Sequence, residues 1–345
     1  VSRFAKILAV AVLVAPLAAL AAEEKPLAIG PVQVSGMLDA YYTVNLDQGQ
    51  LDENINPVRA YDGRPGFNFN MAELSLSMDA NPAGFRLDLV YGPEALGISN
   101  VLVLQGYAGF KIGKNVTLEA GRFVTPAGFE LFESTGNWLY TRGLIFTFAL
   151  PATHQGVRVG YAVNDQLTVT GYLTNGSDLY NNEEAFDPSP HKTGIVSAVW
   201  ASDNTSVAVN AFYTKPPGSV DEDGFLLDVV ATHTMGDLSI NLSGDYGTMF
   251  DGSWVALGVQ AHYAIDDRWS VAGRFEYFDD QDGVRTPVPD GISLWDFTVG
   301  AAYAASKHVT FKAEARYDSA SEDIFNPDDP SGSAITAHLA ALASF

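Results

Sequence analysis

The stretch that decides the fold is Ser333-Ala334-Ile335-Thr336-Ala337-His338-Leu339-Ala340-Ala341-Leu342-Ala343-Ser344-Phe345. Ile335, Ala337, Leu339, Ala341, Ala343 and Phe345 fall on one side. Ser333, Thr336, His338 and Ser344 lie on the other side or at its edges, and Leu342 breaks the rule. A period of two belongs to a β-strand. After residue 21 no apolar run reaches the roughly 20 residues that a helix needs to cross a bilayer. Repeated half-apolar strands behind a secretory leader predict a closed barrel in lipid, because closure alone satisfies the backbone of every strand there.

The leader is read from Arg3 and Lys6, the apolar run Ile7–Leu20, and the small-x-small site Ala19-Leu20-Ala21. Residues 1–21 are therefore expected to be a signal peptide, and 22–345 a single barrel domain. No cysteine occurs, which excludes a disulfide scaffold and thiolate metal ligation. The net charge is −22, and removing the leader takes away two cations and no acid. So acidic a chain is a poor candidate for binding nucleic acid, which rewards basic patches. At 47% hydrophobic and 12% aromatic residues it is not a disordered one either.

Outward from the last strand the same rhythm recurs. Gln33–Leu46 sets Val34, Leu38, Ala40, Tyr42 and Val44 against Ser35, Asp39, Thr43 and Asn45. Asn70–Ala80 sets Ala72, Leu74, Leu76 and Met78 against Glu73, Ser75, Ser77 and Asp79. Short turns such as Asn81-Pro82-Ala83-Gly84, Gly113-Lys114-Asn115 and Asp266-Asp267-Arg268 alternate with long connections at 47–68, 125–154, 175–192 and 279–291. The pattern predicts an all-β fold: a transmembrane, antiparallel, up-and-down β-barrel of about 16 strands. Its short turns are expected in the periplasm and its long loops outside the cell. Tyr and Trp near strand ends, among them Tyr41, Tyr42, Tyr91, Tyr161, Trp200, Tyr263 and Trp269, are read as interfacial girdles.

Charge on the lipid face costs about 2–4 kcal/mol at mid-membrane, so charges on the opposite parity are expected to face the lumen. Arg86, Asp88, Arg274, Glu276, Lys312, Glu314 and Arg316 are assigned to the pore wall. Acid and base side by side either set a transverse field across open water or form a paired ladder that plugs the barrel. The 125–154 loop is too apolar to wave in solvent and is expected to fold inward and narrow the channel; a lid over neighbouring loops is the alternative. Glu119, Arg122, Glu130, Glu133, Arg142 and Arg158 are assigned to the constriction. Acidic loop clusters, including Asp279/Asp280/Asp282, read as solvated faces, with weak divalent binding as the lesser reading. No catalytic motif occurs, so no catalytic residue, cofactor or metal is expected.

The run Leu118-Glu119-Ala120-Gly121-Arg122-Phe123-Val124-Thr125-Pro126-Ala127-Gly128-Phe129-Glu130 resembles the OmpL-like β-barrel porin family of Gram-negative bacteria. Tyr140-Thr141-Arg142, Pro151, Gly156-Val157-Arg158 and Asn175-Gly176 fit as well, although Ser177 stands where the family pattern has an aromatic residue. The resemblance implies an outer-membrane channel and says little about its solute. The expected function is thus a porin for passive diffusion of small hydrophilic solutes, mildly cation-preferring. Its expected partners are outer-membrane lipid and lipopolysaccharide, the barrel-assembly machinery through the strand ending at Phe345, and two further copies in a homotrimer. A surface-interaction or envelope-structural barrel is the alternative, and a membrane-embedded hydrolase a more distant one.

Overall fold

A computed structural model describes residues 28–46, 56–59, 61, 63–92, 102–175, 192–215, 223–286, 288–325 and 331–345. The expected signal peptide, the loop at 176–191 and most acidic loop clusters lie outside these residues. The strands are β1 (Ala28–Ile29), β2 (Val32–Asn45), β3 (Gly66–Met78), β4 (Ala83–Tyr91), β5 (Leu102–Ile112), β6 (Val116–Val124), β7 (Thr153–Ala162), β8 (Leu167–Asn175) and β9 (Lys192–Ala201). They continue as β10 (Thr205–Thr214), β11 (Gly224–Met235), β12 (Leu238–Met249), β13 (Gly252–Ala264), β14 (Trp269–Asp280), β15 (Ile292–Ser306), β16 (Val309–Ala320) and β17 (Ser333–Ser344). Each of β2 to β17 pairs antiparallel with its neighbours, and β17 closes on β2 with Leu339 opposite Tyr42. The barrel wall therefore has 16 strands, as expected; β1 is a two-residue piece folded back on β2.

Alternation holds along the wall. On β17 Ile335 faces outward while Thr336 and His338 are buried inside. Leu342 departs from the pattern because it points inward and packs with Tyr41, Tyr140 and Ala340. Outward aromatics gather near both strand ends: Tyr161, Trp200, Tyr263 and Trp269 toward the short turns, Tyr91, Tyr213, Tyr246 and Tyr317 toward the loops. Tyr41 is the exception. It has the parity of Asp39 and lies inside the barrel, 5.8 Å from the Tyr140 ring.

The two ends of the barrel differ, with one correction. Short turns close one end, the one expected in the periplasm. In the turn after β13 the Asp266 carboxylate accepts the N–H groups of Arg268 and Trp269 at 2.8 Å each, which holds it below the usual carboxylate range. The opposite end carries the long loops, but β12 and β13 are joined there by only Phe250 and Asp251. Both have positive φ, 51° and 62°, as a two-residue hairpin turn requires.

At the seam Gly36 N–H donates to the Phe345 carbonyl and Phe345 N–H to the Gly36 carbonyl, both at 3.1 Å. A Cβ on Gly36 would stand 2.7 Å from both the Phe345 ring and the Glu73 carbonyl. Gly36→Leu should therefore loosen the seam, costing about 1–3 kcal/mol as overpacking typically does. A lower urea midpoint for loss of the compact, heat-modifiable band would show it; an unchanged midpoint would mean the seam tolerates side chains.

Candidate functional site

The loop between β6 and β7, residues 125–152, is inside the barrel. Its chain holds its own shape first. Asn137 bonds both the N–H and the carbonyl of Leu131, at 2.8 and 2.9 Å. Arg142 donates to the carbonyls of Leu131, Phe132 and Tyr140 and to Ser134 Oγ. Phe132 and Phe146 pack together with Tyr61, over whose ring the Arg142 guanidinium lies at 4.9 Å. Burial pushes the Tyr61 phenol well up, so it stays neutral. A single π-helical turn, Ile145–Ala149, brings the chain back toward β7.

The loop crosses to the far wall and is fastened there by charged side chains. Lys312 donates to the carbonyls of Ser134 and Asn137 at 2.8 and 2.5 Å. Glu314 accepts the N–H groups of Tyr140 and Thr141 at 2.7 and 3.0 Å. Arg316 donates to the Arg142 carbonyl and Arg274 to the Thr141 carbonyl, both at 2.5 Å. Glu276 accepts Ile145 N–H at 3.1 Å. Asp39 on β2 receives Ser134 Oγ and the Tyr140 hydroxyl. Behind these contacts an ion-pair chain runs Arg274–Asp296–Arg316–Asp318 and reaches Arg59.

These placements correct several sequence assignments. Arg274, Glu276, Lys312, Glu314 and Arg316 do face inward, but the loop covers them and none exceeds 7% exposure. They are anchors, not open pore wall. Glu130 is also an anchor: it accepts from Arg274, Gln260 and the N–H of Gly143. Arg142 is spent on the loop's own carbonyls. Arg122 faces outward, because it lies an odd number of residues from Glu119 and a strand sends such residues to opposite faces. It lines an outer groove of about 590 Å³ with Val103, Gln155 and Asn175. Asp280, in the acidic cluster Asp279/Asp280/Asp282, has its carboxylate occupied by the N–H groups of Val284, Arg285 and Thr286.

The opposite arc, β3 to β8, is left less covered. Arg86 is paired with Asp88 at 2.8 Å, with 41% of its side chain exposed. Arg158 is paired with Glu119, directly across the ladder, at 2.5 Å; both are about one-fifth exposed. The Arg158 guanidinium also sits 4.8, 4.3 and 5.8 Å from the rings of Tyr107, Phe123 and Tyr172. Glu73, half-buried, accepts from Ser75 at 2.6 Å, and Glu133 of the loop acts electrostatically on both Glu73 and Arg86. Glu73, Tyr107 and Tyr172 were missing from the assigned site. Their signal was present: Tyr107 lies opposite Arg86 and Tyr172 opposite Arg158 in the register.

The arrangement makes a testable demand. Glu314→Ala would leave two buried N–H groups without acceptors, at about 1–3 kcal/mol each. The loop should then leave the wall part of the time. Bilayer recordings should show larger or noisier conductance steps, and quiet wild-type steps would mean the loop holds without Glu314.

Comparison with known proteins places this geometry. The profile of the family described as "Putative beta-barrel porin-2, OmpL-like" matches residues 31–345. No curated protein matches the sequence. Among solved structures, the outer membrane channel DcaP of Acinetobacter baumannii is similar with a TM-score of 0.63 at 14% identity, over 91% of this chain and 97% of its own. Pseudomonas putida OprB is similar at 0.62 and 13%, over 91% and 94%. An anion-selective porin from Comamonas acidovorans is similar at 0.61 and 13%, over 91% and 99%. At such identities the likeness is one of fold.

Proposed function

The chain belongs to the OmpL-like β-barrel porin family of the Gram-negative outer membrane, and from that premise we propose that it works as a passive porin for small hydrophilic solutes. The observation that carries this reading is the one-sided fastening of the 125–152 loop by charged side chains. Its hydrogen bonds to charged and amide side chains run along β13 to β16 and β2, its Phe132 joins an apolar cluster with Met71, Val90 and Leu104, and the charged side chains Arg86, Glu119 and Arg158 stay partly exposed. Charges left partly exposed there keep a water-lined path through lipid. In this reading the narrowest part is formed by Glu73, Arg86, Glu119, Glu133 and Arg158, while Asp88, assigned to the pore wall from sequence, is buried behind Arg86 and Gln105.

The selectivity follows from which charges are balanced. Arg86 is offset by Asp88, and Arg158 by Glu119. Glu73 and Glu133 remain, so the passage favours cations mildly. The aromatic rings around Arg158 present an apolar side opposite these acids, which suits organic cations as well as inorganic ones. A homotrimer in lipopolysaccharide-bearing membrane, inserted by the assembly machinery through the strand ending at Phe345, belongs to the same reading. Native mass spectrometry tests the trimer.

The decisive recording is single-channel conductance in a planar bilayer with reversal potential under a salt gradient. Discrete ohmic steps and a cation-signed potential are expected. Glu133→Lys should move the potential toward anions, while Arg122→Glu, facing outward, should leave it unchanged. A shift with Arg122→Glu alone would sink the assignment of the path. A folded barrel without conductance would put the surface-interaction reading ahead.

A further inference from the structure

A row of buried polar side chains runs across the inner wall beneath the root of the 125–152 loop. In the register Ser197 stands opposite Asn210, Asn210 opposite Asp228, and Asp228 opposite Asp245. All four are inside the barrel and at most 4% exposed. Few donors reach them. Asn210 Nδ2 donates to Asp228 Oδ1 at 2.6 Å and to the Pro126 carbonyl at 3.1 Å. Gly128 N–H donates to Asp228 Oδ2 at 3.2 Å. Beyond these, Asn210 Oδ1 and both carboxylate oxygens of Asp245 are buried with no donor facing them.

This is unlike the other buried acids of the barrel. Asp39 receives a hydroxyl on each oxygen, and Asp296 is clasped by two arginines. Among the described residues Asp245 is the one buried carboxylate that receives no N–H or hydroxyl donor on either oxygen. Its neighbours worsen its position, since Asp228 lies within hydrogen-bonding reach and Glu276 also acts on it, both acids. Two carboxylates at that distance cannot both stay charged in a desolvated place without a compensating positive charge.

We propose that Asp228, Asp245 and the Asn210 amide oxygen hold a hard divalent cation of the calcium class, which ties β10 to β12 to the root of the pore loop. The donors are all oxygens, with no His or Cys among them, which disfavours zinc and copper. Two carboxylates neutralise a charge of +2. Among the described residues no three His, Cys, Asp or Glu side chains converge, so the protein supplies two carboxylates and an amide. Backbone carbonyls and water complete the six to eight oxygens that calcium takes. Such a sparse set belongs to the weak end of calcium sites, with Kd of about 10⁻⁴–10⁻³ M. Asp279 and Asp280 differ from Asp245, since each of their oxygens already receives an amide, N–H or hydroxyl donor.

The test uses the folded full-length barrel in detergent, stripped with EDTA and titrated calorimetrically with CaCl₂. In parallel, Tb³⁺ luminescence is excited through Trp254, which faces inward on β13 two residues from Ala256, the ladder partner of Asp245. One saturable site per chain is expected, with Ca²⁺ displacing Tb³⁺. Asp245→Asn should weaken it at least tenfold while keeping the heat-modifiable band, since the amide can donate to Asp228. Asn210→Ala should weaken it less, and Asp279→Asn should leave it unchanged. Unaltered binding in Asp245→Asn overturns the proposal. So does wild-type indifference to Ca²⁺ combined with a stability loss at high pH that Asp245→Asn removes, for the pair then shares a proton. Binding is read without conductance, so failure of the porin reading leaves this result standing.

Discussion

A backbone N–H or carbonyl cut off from water needs a partner in the protein, and this constraint acts twice in the barrel. In the lipid it forces sixteen strands to close, β17 on β2, with no free edge. In the lumen it acts on an irregular loop. The chain at 134–145 forms no sheet or long helix, so its amides and carbonyls must be met by side chains. Lys312, Arg274 and Arg316 supply donors to carbonyls; Glu314 and Glu276 supply acceptors to N–H groups. The charges of the wall stand in for the water the loop has lost.

Buried charges of this kind must also balance one another. The chain Arg274–Asp296–Arg316–Asp318 does so across β14 to β16, each cation lying between two carboxylates. Replacing one member leaves a buried charge uncompensated, which is costlier than never having had the pair. The loop position is thus set cooperatively, by several strands at once. Asp39 and Asp280 are met by hydroxyl, amide and N–H donors instead, whereas among the described residues both oxygens of Asp245 lack such a donor.

The division of the lumen follows. One half of the inner wall is filled by loop, apolar packing and paired charge. The other keeps Arg86, Glu119, Arg158, Glu73 and, from the loop, Glu133 partly exposed. Arg158 shows how both needs are met in one residue: its guanidinium is paired with Glu119 and stacked among three rings, yet remains part-exposed.

The sequence by itself determined the wall. A period of two is a local property of the chain, so strand existence, lipid face, turn positions and even the outward direction of Arg122 can be read by counting from Glu119. The inward turn of the 125–152 loop was also legible, because Trp138, Tyr140, Phe146 and Phe148 have no use in solvent. What only the tertiary structure decided was which inward charges meet the loop and which meet water. Lys312 and Arg86 have the same parity and the same chemistry in sequence. They differ because the loop brings the carbonyls of Ser134 and Asn137 to Lys312 on β16 but meets β4 through the apolar cluster at Val90, and that choice is made by the sum of contacts far apart in the chain. Leu342 and Tyr41 make the same point: each breaks or bends the local pattern for a partner, Tyr140, some 200 or 100 residues away.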